Sequence, residues 1–414
     1  MSPGSRAGIS PARRKGEPVS IVGFKRTAGL SQLPPLGVYV HLPWCIRKCP
    51  YCDFNSHEAP AGGVDEAGYL DALEADLESS LPLVWGRPVQ TIFIGGGTPS
   101  LFSPQGIDRL LGSLRARLKV SPDAEVTMEA NPGTFERDRF SGFRSAGVNR
   151  LSLGVQSFAD DSLVAIGRVH DGAQARAAAR AAGELFPSFN LDLMYALPGQ
   201  TLARLQADIE QALAFEPLHL SLYHLTLEPN TRFARFPPVL PDEDEAAAMQ
   251  DAIDGQLAQA GFDHYEVSAY ARPGHRAKHN LNYWTFGDYL GIGAGAHGKL
   301  SFHDRIVRQA RYRHPRRYVD AVAAGNAVEV ERTLSREDLP FEFMLNALRL
   351  SGGVAASLYE EHTGESLAGI AHLLEKAVQK GLLSGNPGRL AATPLGLRFL
   401  NDLQALFLSS KLPA

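Results

Sequence analysis

Cysteine is scarce: 414 residues contain three, and Cys45, Cys49 and Cys52 all fall within eight positions of one another. An odd set so tightly grouped is no disulfide framework; it points to a metal-binding loop in a reducing compartment. No apolar run approaches the roughly 18 residues of a membrane span, and no hydrophobic leader opens the chain. Neither sign of charge dominates. The 41 basic and 45 acidic side chains leave −4, which excludes a protein that coats nucleic acid by charge alone. What remains is a globular, cytoplasmic expectation, with 44% hydrophobic residues. At roughly 100–200 residues per domain the length suits two or three domains, with core enough that a metal would serve function rather than stability.

Residues 1–36 differ from the rest, with five Gly, five Pro, five Ser, six Lys or Arg, and Glu17 as the single acid. Too little apolar surface is present to offset ordering entropy, so this stretch reads as a disordered basic tail, with a nucleic-acid arm as the alternative. From Val38 onward short apolar runs at 38–42, 91–94, 125–129, 150–155, 189–195 and 219–226 alternate with helical patterns. One such pattern is Ile107, Leu110, Leu111, Leu114, Leu118, introduced by Ser103 and Pro104 as cap and first residue; Gly147 is the expected stop of another. Alternating strands and helices imply a parallel sheet with helices outside. Six units are too few for a closed eight-stranded barrel, so the expected fold is α/β, a partial (β/α)6 open TIM-like barrel spanning 37–300, with chemistry at the C-terminal strand ends. A loop rich in His, Asn, aromatics and Gly is expected over 275–298, and a small, mostly helical domain over 301–414.

The strand ends carry unusual residues: Gly95-Gly96-Gly97-Thr98-Pro99, then Glu129 with Asn131 and Pro132, then Gln156, then Asp192. Each alone is ordinary turn chemistry, but together they place Glu129, Gln156 and Asp192 on one rim. Directly after the first strand, Cys45, Cys49 and Cys52 are spaced four and three apart. Thiolates this close can wrap one iron–sulfur cube, and three ligands for four irons leave one iron open to a small chelating molecule. A zinc site is the alternative and would need a fourth ligand, with His41 or His57 the nearest candidates.

The Cys-x3-Cys-x2-Cys pattern followed by Gly-Gly-Gly-Thr-Pro resembles the radical S-adenosylmethionine (SAM) superfamily. The string from Tyr39 through His41, Pro43 and Cys45, with Glu129-x-Asn131-Pro132, the Gly154-to-Ser157 motif and the Asp192-to-Gly199 motif, is similar to the oxygen-independent coproporphyrinogen III oxidase family. The resemblance implies a [4Fe–4S] cluster on Cys45, Cys49 and Cys52, with SAM chelating the open iron. It implies SAM contacts from Tyr39, Tyr51, Gly96, Gly97, Thr98, Glu129, Gln156, Arg168 and Asp192, and it leaves Gly96 and Gly97 to let backbone approach the methionine moiety. The glycine-rich run from Gly291 to Gly298 is expected at the barrel mouth, with His297 near SAM.

Oxidases of this family carry a fourth cysteine two positions past the third, where this chain has Phe54. The string His279-Asn280-Leu281-Asn282-Tyr283-Trp284 resembles the signature of the HemW branch, whose members are haem chaperones that pass haem to respiratory proteins. The resemblance thus implies haem as cargo, with His279, Asn280, Tyr283 and Trp284 as its candidate site, rather than oxidation of coproporphyrinogen III. On residue types alone, the string reads as core aromatics, Tyr283 and Trp284, beside a loop capped by His279 and Asn280, and only the resemblance sets the haem reading above that. Arg305, Arg308, Arg311, Arg313, Arg316 and Arg317 form a basic stretch that suits propionates, a partner protein or a peripheral membrane contact, with a solvated face as the default. No nucleic-acid partner is expected.

Overall fold

The computed structural model describes residues 29–133 and 136–409. Its core is one twelve-stranded sheet. In chain order the strands are β1 (Leu36–Leu42), β2 (Pro88–Gly96), β3 (Lys119–Ala130), β4 (Arg150–Gln156), β5 (Ser188–Tyr195), β6 (His219–His224), β7 (Asp263–Glu266), β8 (Ala269–Ala271), β9 (Asp288–Ile292), β10 (His297–Ser301), β11 (Ile306–Arg311) and β12 (Val328–Thr333). They lie in the order β12-β11-β10-β9-β1-β2-β3-β4-β5-β6-β8-β7. The ladders from β9 through β1 to β6 are all parallel. Antiparallel strands extend both edges.

Helices on the outside account for the apolar face of these strands. Among them are α1 (Glu66–Val84), α2 (Pro104–Arg117), α3 (Glu136–Ala146), α4 (Gly172–Leu185), α5 (Leu202–Leu213) and α6 (Glu243–Gln259). The side chains of Val38, Val40, Ile92, Ile94, Val126, Met128, Leu151, Leu153, Leu191 and Leu193 face them in one buried cluster. The signals read for α2 and α3 hold: the Ser103 hydroxyl accepts from the Gly106 amide, Pro104 opens α2, and Gly147 stops α3 at φ +106°. α4 carries a capping box between Asp171 and Gln174 and buries Ala175, Ala178, Ala179 and Ala182, small side chains that let it lie close to the sheet.

The opposite face of the strands is polar. Ser152, Asn190 and His219 are register partners on β4, β5 and β6, and Tyr39 and Phe93 are partners on β1 and β2. The lumen of the open barrel is therefore lined by hydrogen-bonding and aromatic side chains, and the helix layer holds most of the apolar burial.

Four sequence expectations change. The run 275–298 is mostly regular: it holds the helix α7 (Lys278–Trp284) and β9, which adds a seventh parallel strand beside β1. The break expected at 300/301 falls inside the β10–β11 hairpin, closed by the Phe302 amide on the Arg305 carbonyl, and the sheet continues to Thr333. The helical part follows, with α8 (Leu339–Ala347) and α9 (Ser357–Thr363) around Phe343, Met344, Tyr359 and Leu403. The expected tail lies outside the described residues up to position 28, but its last residues are ordered: the Leu30 amide donates to the His303 carbonyl, and the Asp288 amide to the Pro35 carbonyl.

The basic stretch is not one face. Arg311 is fully buried on Asp76, Arg308 pairs with Glu342, and Arg305 and Arg317 pair with Asp304 and Glu329. Strand alternation in β11 is the cause, since it turns every second residue inward.

Candidate functional site

The cysteine loop leaves the C-terminal end of β1 and folds back as a short parallel pair, Trp44–Cys45 with His57–Glu58. All three thiols are half-buried, and each has a polar neighbour. Thr98 donates its hydroxyl to Cys45 Sγ at 3.5 Å, Arg168 Nη1 donates to Cys49 Sγ at 3.6 Å, and Ser56 Oγ lies 3.8 Å from Cys52 Sγ. Burial pushes the Cys45 and Cys52 thiols up. Lys48 braces the loop, its ammonium donating to the Phe54 carbonyl at 2.9 Å.

The glycine-rich turn after β2 locks onto this loop. The Gly97 amide donates to the Leu42 carbonyl and the Thr98 amide to the Trp44 carbonyl. A Cβ on Gly97 would sit 2.5 Å from the Trp44 oxygen, and one on Gly96, at φ +120°, would meet the His41 ring at 2.7 Å. Both glycines thus have a reason inside the chain: the turn and the cysteine loop approach too closely for a side chain.

Asn131, which sequence reasoning quoted only as part of a motif, is the hub of the site. Its amide group donates to Thr98 Oγ1 at 2.8 Å, and its Oδ1 accepts from Arg168 Nη2 at 2.6 Å. Arg168 also donates to the Gly154 carbonyl at 2.7 Å and faces Tyr51. One hydrogen-bonded path therefore runs from Cys45 through Thr98, Asn131 and Arg168 to Cys49.

Glu129 accepts from the Gly96 amide at 3.0 Å. Burial, and behind it the charge of Asp192, pushes the Glu129 carboxyl up to about 7. Burial also raises Asp192, against the hydrogen bonds it accepts from Asn190 at 2.8 Å and Ser152 at 3.0 Å. Behind this pair runs a relay absent from the sequence reading. Asn280 donates to the Tyr265 hydroxyl, Tyr265 to His219 Nε2, and His219 Nδ1 to Asn190 Oδ1. Its one signal in the sequence was polar residues at alternate positions, 190 and 192, 219 and 221, of otherwise apolar strands.

Tyr39 points into the lumen below the rim, its hydroxyl donating to His41 Nδ1 at 2.7 Å and its ring stacked on Phe93. His41 Nε2 donates to the Asn55 carbonyl at 2.9 Å, and burial lowers its pKa to about 4. With both nitrogens engaged, His41 is not free to complete a zinc site. His57 turns its ring edge to His314. Among the described residues no three His, Cys, Asp or Glu side chains are grouped to hold a single metal ion.

The three thiols nevertheless fit an iron–sulfur cluster that leaves one iron to another ligand. Two buried polar atoms beside them lack partners, Gln156 Oε1 and Arg168 Nε. Gln156 also holds φ +66°, a strained value for a side-chain-bearing residue. Such unsatisfied groups at one rim suit a polar ligand that supplies the missing contacts. His297 opens β10, and partial burial of its ring, followed by the charges of Arg308 and Arg313, lowers its pKa. The glycine run before it is anchored by the Tyr69 hydroxyl, which accepts from the Ala294 amide at 2.8 Å.

The string 279–284 forms α7, packed against β1, β2 and β9. His279 is 6% exposed, stacked on Phe93, with its Nδ1 2.6 Å from Glu125. Glu125 also accepts both the Lys278 and His279 amides, capping α7 across 154 positions of sequence. Tyr283 meets Tyr289 edge-on, and the Arg349 guanidinium lies over Trp284 at 4.3 Å. The rings of the string are thus packed, while Trp284 Nε1 is buried without a partner.

Comparison with known proteins agrees with this geometry. The profile of the radical SAM superfamily matches residues 39–212, and that of the HemN C-terminal domain matches 334–399. The haem chaperone HemW of Escherichia coli K12 is 47% identical over 91% of this chain and 99% of its own length. Its counterpart in Bacillus subtilis 168 is 35% identical over 89% of this chain and 98% of its own. The solved structure of coproporphyrinogen III oxidase (HemN) from E. coli, a radical SAM enzyme, superposes with a TM-score of 0.78 at 25% identity, covering 92% of this chain and 91% of that one. A radical SAM domain implies SAM and a [4Fe–4S] cluster, for which the thiols and the unsatisfied rim are suited. With the cysteine loop, the glycine turn and the acidic rim in place, the chain belongs to the HemW family of the radical SAM superfamily.

Proposed function

We propose that this protein is a cytoplasmic haem chaperone that binds haem and hands it to acceptor proteins, respiratory ones among them, with at most peripheral contact to the membrane. The observation that carries this reading is 47% identity along 99% of the E. coli haem chaperone. Phe54 supports it. Where the oxidases of the resemblance have a fourth cysteine, this chain offers a phenyl ring that is 63% exposed.

The residues divide the work. Cys45, Cys49 and Cys52 would hold the cluster. Glu129, Gln156, Arg168 and Asp192, with Thr98 and the peptides of Gly96 and Gly97, would hold SAM, while Tyr39, Tyr51 and His297 shape the surroundings. Bound cluster and SAM together supply a one-electron route to a carbon-centred radical. The chain itself fixes orientation. Arg168 and Asn131 tie the cysteine loop to the rim, and the buried Glu129 and Asp192 carboxyls stand together where a cationic ligand would favour their ionised forms.

A second reading, a coproporphyrinogen III dehydrogenase, draws on the fold shared with HemN. One anaerobic assay separates the two. Reconstituted protein is incubated either with haem and an apo-acceptor, or with coproporphyrinogen III, SAM and reductant. Haem transfer without a tetrapyrrole product is expected, and formation of protoporphyrinogen would overturn the assignment.

A further inference from the structure

The end of β4 is bent by a rare turn. Gln156 holds φ +66°, the Ser157 amide donates to the Val155 carbonyl at 2.9 Å, and the β4–β5 register shifts between Gly154 and Gln156. These are the marks of the positive-φ form of the γ-turn, which is strained for a residue that carries a side chain. A glycine would take this φ freely, yet the chain keeps a carboxamide here, and its Oε1 is buried without a partner. Such a conformation persists only where its surroundings over-determine it.

The groups that fix it come from outside the strand. Asp208 lies on the buried side of α5 and is 5% exposed. Its Oδ2 accepts from the Ser157 hydroxyl at 2.6 Å and its Oδ1 from the Phe158 amide at 2.8 Å. Ser157 Oγ in turn accepts from the Ala159 amide at 3.1 Å. On the other side of the turn, His170 Nε2 donates to the Val155 carbonyl at 3.1 Å and Arg168 donates to the Gly154 carbonyl. Gln156 is thus the one residue between two clamps.

We propose that Asp208 is a positioning residue for SAM: it locks the turn in its strained form and so aims the Gln156 carboxamide at the ligand. The proposal rests on the SAM role given to Gln156 above and adds to it a residue of the helix layer. An ordinary loop cap needs one oxygen on one amide. Asp208 also uses its second oxygen, on the hydroxyl of the residue next to Gln156, so Ser157 and Phe158 are both held against α5. Burial pushes the Asp208 carboxyl up against these two bonds, so α5 carries a buried acid where an apolar side chain would pack without the desolvation cost.

The test is a double-mutant cycle on equilibrium binding of SAM to cluster-loaded protein, read by calorimetry. Asp208→Ala should weaken SAM binding roughly tenfold, the scale of one charged hydrogen bond, with iron content unchanged. Asp208→Asn keeps an acceptor for the Phe158 amide and a partner for the Ser157 hydroxyl, so it should recover most of that loss. Gln156→Gly, which relieves the strain and removes the carboxamide, should weaken binding as well, and adding Asp208→Ala to it should bring no further loss. Full affinity in Asp208→Ala would overturn the proposal. So would losses that multiply in the double variant, the outcome of a cap that acts independently of Gln156. Should Asp208→Ala misfold, Ser157→Ala, which frees one of the two carboxylate oxygens, takes its place in the cycle under the same two criteria. A wild type that binds SAM while Gln156→Gly binds it equally well would instead bring down the SAM role of Gln156, and the proposal with it.

Discussion

If Glu129 holds SAM as proposed, binding should depend on pH with a sign set by the surroundings of its carboxyl. Its carboxyl is raised to about 7 by burial and by Asp192, and the Gly96 amide offsets only part of that shift. In the proposed role Glu129 must be ionised to accept hydrogen bonds from the SAM ammonium, so binding below pH 7 has to expel a proton. With a free-protein value near 7, SAM affinity should fall about tenfold from pH 8 to pH 6, and tenfold per unit below that. The assay is equilibrium binding of SAM to cluster-loaded protein across pH 6–8. Asp192→Asn removes the like charge 192 presents to 129, so the decline should move to lower pH. Glu129→Gln should bind weakly with a flat profile. The same shift acts on the SAM-free fold. A folded value above the ordinary 4.5 gives stability that is present below 4.5 and lost as pH rises through 7, so the wild type should weaken relative to Glu129→Gln across that window. The reasoning is refuted if wild-type affinity is flat over pH 6–8 or if Glu129→Gln keeps the slope.

Local signals in the sequence were sound, and long-range pairings were out of reach. The Ser103 cap, Pro104 and the Gly147 stop depend on neighbours within a few residues, and they stand as read. The apolar side chains that each strand turns to the helix layer made the six parallel units visible. β9 was hidden because Gly291 and the surrounding His, Asn and Gly residues resemble loop composition, and its strand character comes from pairing with β1 far upstream. Arg311 looked like part of a solvated face because its partner Asp76 lies 235 positions away. His279 was a candidate haem ligand through the resemblance alone, and its partner Glu125, 154 positions distant, was likewise beyond the reach of local pattern. The three cysteines and the glycine turn, being contiguous motifs, were legible. Asn131 as hub and the His219–Asn190 relay were not, since each is one polar residue on a strand or strand end.

Cys45→Ala, Cys49→Ala and Cys52→Ala should each abolish cluster assembly, and four irons per chain retained in any of them would refute the ligand set. Asn131→Ala cuts the link between Thr98 and Arg168, so the protein should still assemble its cluster but bind SAM about tenfold more weakly, a loss on the scale of one charged hydrogen bond; unchanged SAM affinity in calorimetry would return Asn131 to a local turn role. His279→Ala leaves Glu125 buried without its ring partner, so it should lower the denaturant midpoint while haem affinity holds; intact stability with lost haem binding would restore His279 as the ligand. Asp76→Ala tests the joint between α1 and β11 most severely. Asp76 and Arg311 are both fully buried, and the carboxylate also accepts from Tyr318 at 2.8 Å and from the Gly293 amide at the barrel mouth. Removing it strands a guanidinium in the core, which costs about 3–5 kcal/mol, whereas an apolar pair of similar volume has no charge left to satisfy. Asp76→Leu combined with Arg311→Met should therefore recover most of the loss in chemical denaturation. A double variant no more stable than Asp76→Ala would mean that the anchor of the Gly293 loop and the Tyr318 hydroxyl, rather than the buried charge, set the cost.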